Sequence, residues 1–169
     1  VDLPQVYTLR ELRDADRLHA AAKDARRAVV IGGGFIGLEM AENLVRRGVA
    51  TTVVELADQI LPPWAAEMVS PVAAHLRERG VSLKLNNAAE AILPIDDSVV
   101  VRLRSGESLE ADMVVLSVGV RSDNKLAVEA GLEVGPRGGI RVNDQMQTAD
   151  PDVYAVGDAI ETRSSIDGS

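Results

Sequence analysis

Apolar positions along the chain change period as it proceeds. Thr8-Leu9-Arg10-Glu11 has the form of a capping box, a hydroxyl followed three residues on by a carboxylate, and predicts a helix from about Leu9 to Asp24. Ala28-Val29-Val30-Ile31 is a short unbroken apolar run, the pattern of a strand buried on both faces. From Phe35 to Arg47 the period turns helical: Ile36, Met40 and Leu44 fall on one line with Ala41 and Val45 beside them. Arg46 and Arg47 suit the negative end of that helix dipole, and Gly48 ends it. Thr51 to Val54 is β-branched throughout and predicts a second strand. After the break at Pro62-Pro63 a further helix is expected from Ala65 to Arg79, then a third strand from Val81 to Leu85.

Beyond that point strict alternation begins. Val99–Arg104 and Glu107–Ala111 flank Ser105-Gly106, a hairpin in which Val101 and Leu103 face inward while Arg102 and Arg104 face out. Met113 to Val118 is again an apolar strand, closed by Gly119. The expected fold class is therefore α/β: a Rossmann-like parallel sheet flanked by helices, with an antiparallel β-meander inserted before its last strand. Downstream, Gly131, Gly135, Pro136, Gly138 and Gly139 loosen the pattern, and only short strands around Ile140–Val142 and Val153–Val156 are expected.

Composition narrows the classes. Hydrophobic residues make up 46% of the 169 residues but aromatics only 2%, so the core must be aliphatic. A net charge of −8 with scattered cations speaks against nucleic acid and against an anionic membrane as partners. The chain has no cysteine, which excludes disulfides and thiolate chemistry from its own residues. His19 and His75 fall in expected helices and read as surface residues. No apolar run approaches a membrane span, and a soluble cytoplasmic protein is the simplest expectation.

The chemistry concentrates at Gly32-Gly33-Gly34-Phe35-Ile36-Gly37, which follows a buried strand and opens an amphipathic helix. Gly32 permits the sharp turn out of the strand, Gly34 lets backbone approach a pyrophosphate, and Gly37 lets helix and strand pack closely. Glu55 ends the next strand, 18 positions after Gly37, where a carboxylate accepts hydrogen bonds from the adenosine ribose. That carboxylate would repel a 2′-phosphate, and no Arg or Lys follows it before Arg77, so NADH is expected over NADPH. Glu39 lies on the polar stripe of the helix with Glu42, Asn43 and Arg46, where either solvent or a ligand accounts for it.

Four segments in this order, GGGFIGLEMAENL, VVEL, DMVVLSVGVRSDN and TADPDVYAVGD, resemble the pyridine nucleotide-disulfide oxidoreductases, flavoproteins with two dinucleotide sites. The likeness is strongest to the branch of NADH oxidases, NADH peroxidases and coenzyme A-disulfide or persulfide reductases. The resemblance implies that Gly32, Gly34, Ile36 and Gly37 belong to the NADH-binding turn, that Phe35 covers the flavin face until nicotinamide displaces it, and that Glu39 and Gly119 contact the nicotinamide end. It implies that Asp158 serves the ribityl chain of FAD. The family's FAD-binding glycine motif, redox cysteine and dimerisation domain are not found in this sequence, and Ser122 stands where the family usually has proline. The expected organisation is a connecting segment and helix over 1–25, an NADH-binding domain over 26–121, and over 122–169 the start of a return into an FAD domain. The complete enzyme is then expected to be a homodimer that passes hydride from NADH to flavin. A stand-alone NADH-binding sensor or scaffold domain without catalysis is the rival reading, and the YAVGD segment argues against a pure sensor.

Overall fold

The computed structural model describes residues 2–162; residue 1 and residues 163–169, the extremes of the first and last expected segments, lie outside the described residues. The chain divides into two compact units, Val1–Gly119 and Val120–Ser169. In the first unit the elements run β1 (Val6–Tyr7), α1 (Leu12–Ala21), β2 (Arg27–Ile31), α2 (Phe35–Arg46), β3 (Ala50–Val54), α3 (Ala66–Glu78), β4 (Ser82–Lys84), β5 (Ala89–Ile95), β6 (Ser98–Leu103), β7 (Ser108–Ala111) and β8 (Met113–Leu116).

Five strands form a sheet in the order β1-β8-β2-β3-β4, and every pairing in it is parallel. The chain leaves β2 toward β3 and β4, then returns on the other flank of β2 as β8. The carboxyl ends of β2 and β8 therefore bound a topological switch point, the place where open α/β sheets take ligands. The period-two rule of a strand sorts the core into two layers. Ala28, Val30, Val53, Met113 and Val115 face a helical layer with Leu18, Leu38, Leu44 and Leu76. Val29, Val54 and Val114 face the other way, onto Val99, Val101, Leu103 and Ala111 of the meander. The helices thus cover one face of the parallel sheet, and the antiparallel sheet β5-β6-β7 covers the other.

Several expectations shift. The first helix begins at Leu12, not Leu9, and Glu11 is its N-cap. The Asp14 carboxylate accepts the backbone N–H groups of Arg10 and Glu11, at 2.9 and 3.4 Å. Thr8 lies outside the helix because Asp14, three residues beyond Glu11, takes these donors. Two strands were not foreseen, the two-residue β1 and the meander's outer strand β5.

The second unit is poorer in regular structure. Among the described residues it holds one short helix, α4 (Lys125–Glu129), and a single 3₁₀ turn at Gly157–Ala159. The strands expected at Ile140–Val142 and Val153–Val156 do not form; the isolated bridges Val134↔Ile140, Ile140↔Ile160 and Gln147↔Tyr154 stand in their place. Glycines and prolines interrupt the chain too often for a ladder to propagate.

Candidate functional site

The glycine turn is built from two kinds of glycine. Gly32 has φ +111, and a Cβ there would run into the Ser117 carbonyl. A Cβ on Gly37 would strike the Gly32 carbonyl and come within 2.6 Å of Ser117 Oγ. These two positions are glycine because β2, β8 and α2 converge on them. Gly34 differs: its φ is −79, open to any residue, and nothing lies within 4 Å of the Cβ it lacks. Neither backbone strain nor packing asks for glycine there.

Gly34 is also the N-cap of α2, and no side chain caps that end. The first-turn N–H groups have no partners within the helix and carry the positive end of its dipole. The result is an open, donor-rich surface at the switch point, lined by backbone rather than by side chains.

Three hydrogen bonds fix this turn. Gly32 N–H donates to the Val54 carbonyl at 2.8 Å, tying the turn to the end of β3. Gly33 N–H donates to Glu55 Oε2 at 2.6 Å, and Leu61 N–H donates to the Gly33 carbonyl at 2.9 Å. The second oxygen of Glu55 accepts the Ala57 N–H at 2.8 Å. Glu55 is half-buried directly after β3, beside the turn. It already holds the loop and has lone pairs left for a diol. From the other flank, Ser117 Oγ lies 3.0 and 3.1 Å from the carbonyls of Ile31 and Gly32, positioned to donate to either. Sequence reasoning missed Ser117, whose partners are 85 and 86 residues away.

The remaining candidates fall as follows. Phe35 opens α2 and is 65% exposed, and Ile36 beside it is 38% exposed. Trp64, also missed from sequence, meets Phe35 edge to face, with ring centroids 6.4 Å apart at 77°. Glu39 is exposed one turn further along α2, and it borders with Phe35 a cleft of about 680 Å³ between α2 and α3. Gly119 follows β8 at φ +100, on the same edge of the sheet as the glycine turn. Gly32, Gly34, Phe35, Ile36, Gly37, Glu39, Glu55 and Gly119 all belong to the first unit. Asp158 belongs to the second, where it is exposed in the 3₁₀ turn and its carbonyl accepts the Ser122 hydroxyl at 2.9 Å. His19 and His75 are exposed on their helices. Among the described residues no cluster of three metal-ligating side chains occurs, and no helix is long and apolar enough to cross a membrane.

Residues 2–167 match the family of pyridine nucleotide-disulphide oxidoreductases. The NAD(P)H nitrite reductase large subunit of Klebsiella oxytoca is 39% identical over 171 residues, covering 99% of this chain and 18% of that one. The NAD-dependent persulfide reductase of A. fulgidus superposes with a TM-score of 0.95 at 37% identity, over 99% of this chain and 31% of its own. The water-forming NADH oxidase of Lactobacillus brevis, solved bound to NADH, gives a TM-score of 0.89 at 28% identity, over 94% of this chain and 35% of its own. The chain thus spans less than half the length of each of these relatives. With the family match running from residue 2 to residue 167, this chain belongs to the pyridine nucleotide-disulphide oxidoreductases.

Proposed function

We propose that the chain is the NADH-binding portion of a flavoprotein oxidoreductase, with residues 26–121 as the NADH domain and residues 122–169 beginning a return into an FAD domain. The observation that carries this reading is Gly34, a glycine that neither the local backbone nor the packing requires, at the open N-terminus of α2. A pyrophosphate needs such a place, where backbone comes within van der Waals contact and N–H groups point outward. In this reading Gly32 and Gly37 shape the turn, and Glu55 accepts the adenosine ribose hydroxyls while holding Gly33. Phe35, Glu39 and Gly119 border the nicotinamide end. Asp158 serves the flavin ribityl chain. When bound, NADH supplies hydride for the flavin.

The acceptor beyond the flavin is chosen outside these residues. A nitrite reductase, a persulfide reductase and a water-forming oxidase all resemble this same stretch, so the stretch itself serves the donor side that they share. The relatives' names also support a nicotinamide dinucleotide as ligand. Preference for NADH over NADPH rests on Glu55, whose carboxylate would face a 2′-phosphate with no cation in its own loop to offset it.

Calorimetric titration of the chain tests the reading. NADH is expected to bind, and NADPH to bind more weakly. Gly34→Ala is expected to cost at most about 1 kcal/mol of stability, as an N-cap change. It should weaken NADH by at least about tenfold, because a methyl group would stand where the pyrophosphate approaches. Undiminished NADH affinity in this variant would overturn the site, and equal affinity for the two nucleotides would overturn the preference alone.

A further inference from the structure

The chain contains one phenylalanine and one tryptophan, and they touch. Trp64 is 45% exposed, on the connection from β3 to α3, and that connection grips the glycine turn at both backbone groups of Gly33. Leu61, whose N–H makes one of these bonds, is held at φ +47, a conformation leucine disfavours. Trp64 N–H then donates to the Leu61 carbonyl at 3.0 Å, and Gln59 Nε2 donates to the Trp64 carbonyl at 2.7 Å. The position of Trp64 is thus set by the turn itself.

The sheet order gives the contact a direction. β3 lies on one flank of β2 and β8 on the other. Trp64, the aromatic partner of Phe35, lies in the β3–α3 connection, and Leu61 of that connection and Val72 of α3 line the same cleft as Phe35. On the β8 flank, Ser117 to Gly119 contributes no aromatic side chain. We propose that Trp64 is a positioning residue that parks the Phe35 ring on the β3 flank and so keeps the β8 flank clear for the flat nicotinamide ring of the dinucleotide. This rests on the reading of the glycine turn given above. Without Trp64, an exposed Phe35 samples its other rotamers, including those that fall across the β8 flank.

The test compares two probes, NADH and ADP-ribose, which share everything but the nicotinamide ring. Calorimetry is run on the unchanged chain and on Trp64→Ala, Trp64→Leu, Trp64→Phe, Phe35→Ala and the double variant Phe35→Ala with Trp64→Ala. Trp64→Ala and Trp64→Leu are each expected to raise the NADH dissociation constant about three- to tenfold, the range an aromatic pair supports. ADP-ribose affinity should stay unchanged. Trp64→Phe, which keeps a ring edge, should behave as the unchanged chain, and the double variant should bind NADH as Phe35→Ala alone does, because no ring is left for the loss of Trp64 to release. If Trp64→Ala fails to fold, Trp64→Leu decides. NADH affinity unaffected by both, or NADH and ADP-ribose weakened equally, would overturn the proposal; the second result would place Trp64 at the adenosine end. Failure of both probes to bind the unchanged chain would instead overturn the glycine-turn reading, and this inference with it.

Discussion

At the scale of single residues, the glycine motif separates into positions where packing requires glycine, Gly32 and Gly37, and one where it does not, Gly34. The spacing of the motif locates all of them, but only the packing around each tells them apart. Gly37→Ala would push a methyl group into the Gly32 carbonyl, with Ser117 Oγ 2.6 Å away. Backbone gives way less readily than a side chain, so the variant is expected to lose about 1–3 kcal/mol in urea unfolding, where Gly34→Ala loses little. Equal stability for the two would show that the distinction is false. Glu55 holds the loop and, under the proposed function, also meets the ribose. Its oxygens accept two backbone N–H groups, so Glu55→Ala should lower the melting temperature as well as weaken NADH by about 1.5–3 kcal/mol per charged hydrogen bond lost. A variant that weakens NADH with no loss of stability would show that the loop does not depend on this carboxylate. The position of Glu55 at a strand end was legible in the sequence. Its grip on Gly33, 22 residues away, was not, because a bond between separate turns leaves no periodic trace.

At the scale of elements, long periodic segments were legible and short or interrupted ones were not. The strand β5 was missed because Pro94 lies within it, and proline argues against a strand wherever a ladder needs its N–H. The meander resolves this by making β5 an edge strand, where one side of the backbone needs no partner. The helix α3 was foreseen despite a similar flaw. Ala65 is its N-cap and offers no side-chain acceptor, and Pro71 inside it cannot donate to the Glu67 carbonyl. Only Val69 and Leu76 are fully buried on this helix, so packing offsets little of that cost. Ala65→Asp is therefore expected to stabilise the chain by about 1 kcal/mol through a cap and the helix dipole. Pro71→Ala should add about 1–3 kcal/mol, reduced somewhat by the freer unfolded chain. Thermal melts of the two variants check this, and a fall in melting temperature for either would mean that the exposed start of α3 is held by contacts other than its own hydrogen bonds.

At the scale of the whole first unit, two sheets must stay in register against each other, and the charges that clip them are far apart in sequence. Arg27, the first residue of β2, reaches Glu110 on β7 and Asp112 before β8, each at 2.8 Å. Asp112 Oδ2 also accepts the backbone N–H groups of Arg26 and Arg27, at 2.9 and 2.8 Å. The net charge of −8 was readable from composition, but it gave no sign of which acids are paired, and Arg27 and Asp112 stand 85 residues apart. The Arg27 guanidinium, aided by these N–H bonds, holds the Asp112 carboxyl down at about 2, from an ordinary 3.8, while Arg27 itself is shifted upward and Glu110 downward. Asp112 binds a proton more readily unfolded than folded, so its contribution is complete above about pH 4 and is lost as the pH falls through about 2. At 1.36 kcal/mol per unit, and with partial exposure weakening the field, the contribution at neutral pH is about 1–2 kcal/mol. Urea unfolding at pH 7, pH 4 and pH 2.5 measures it. Asp112→Asn is expected to lose that amount at pH 7 and most of it at pH 4, and the difference should shrink to about a third at pH 2.5, where Asp112 begins to lose its charge. A constant difference across the three pH values would assign the loss to the shape of the Asp112 contacts and not to their charge.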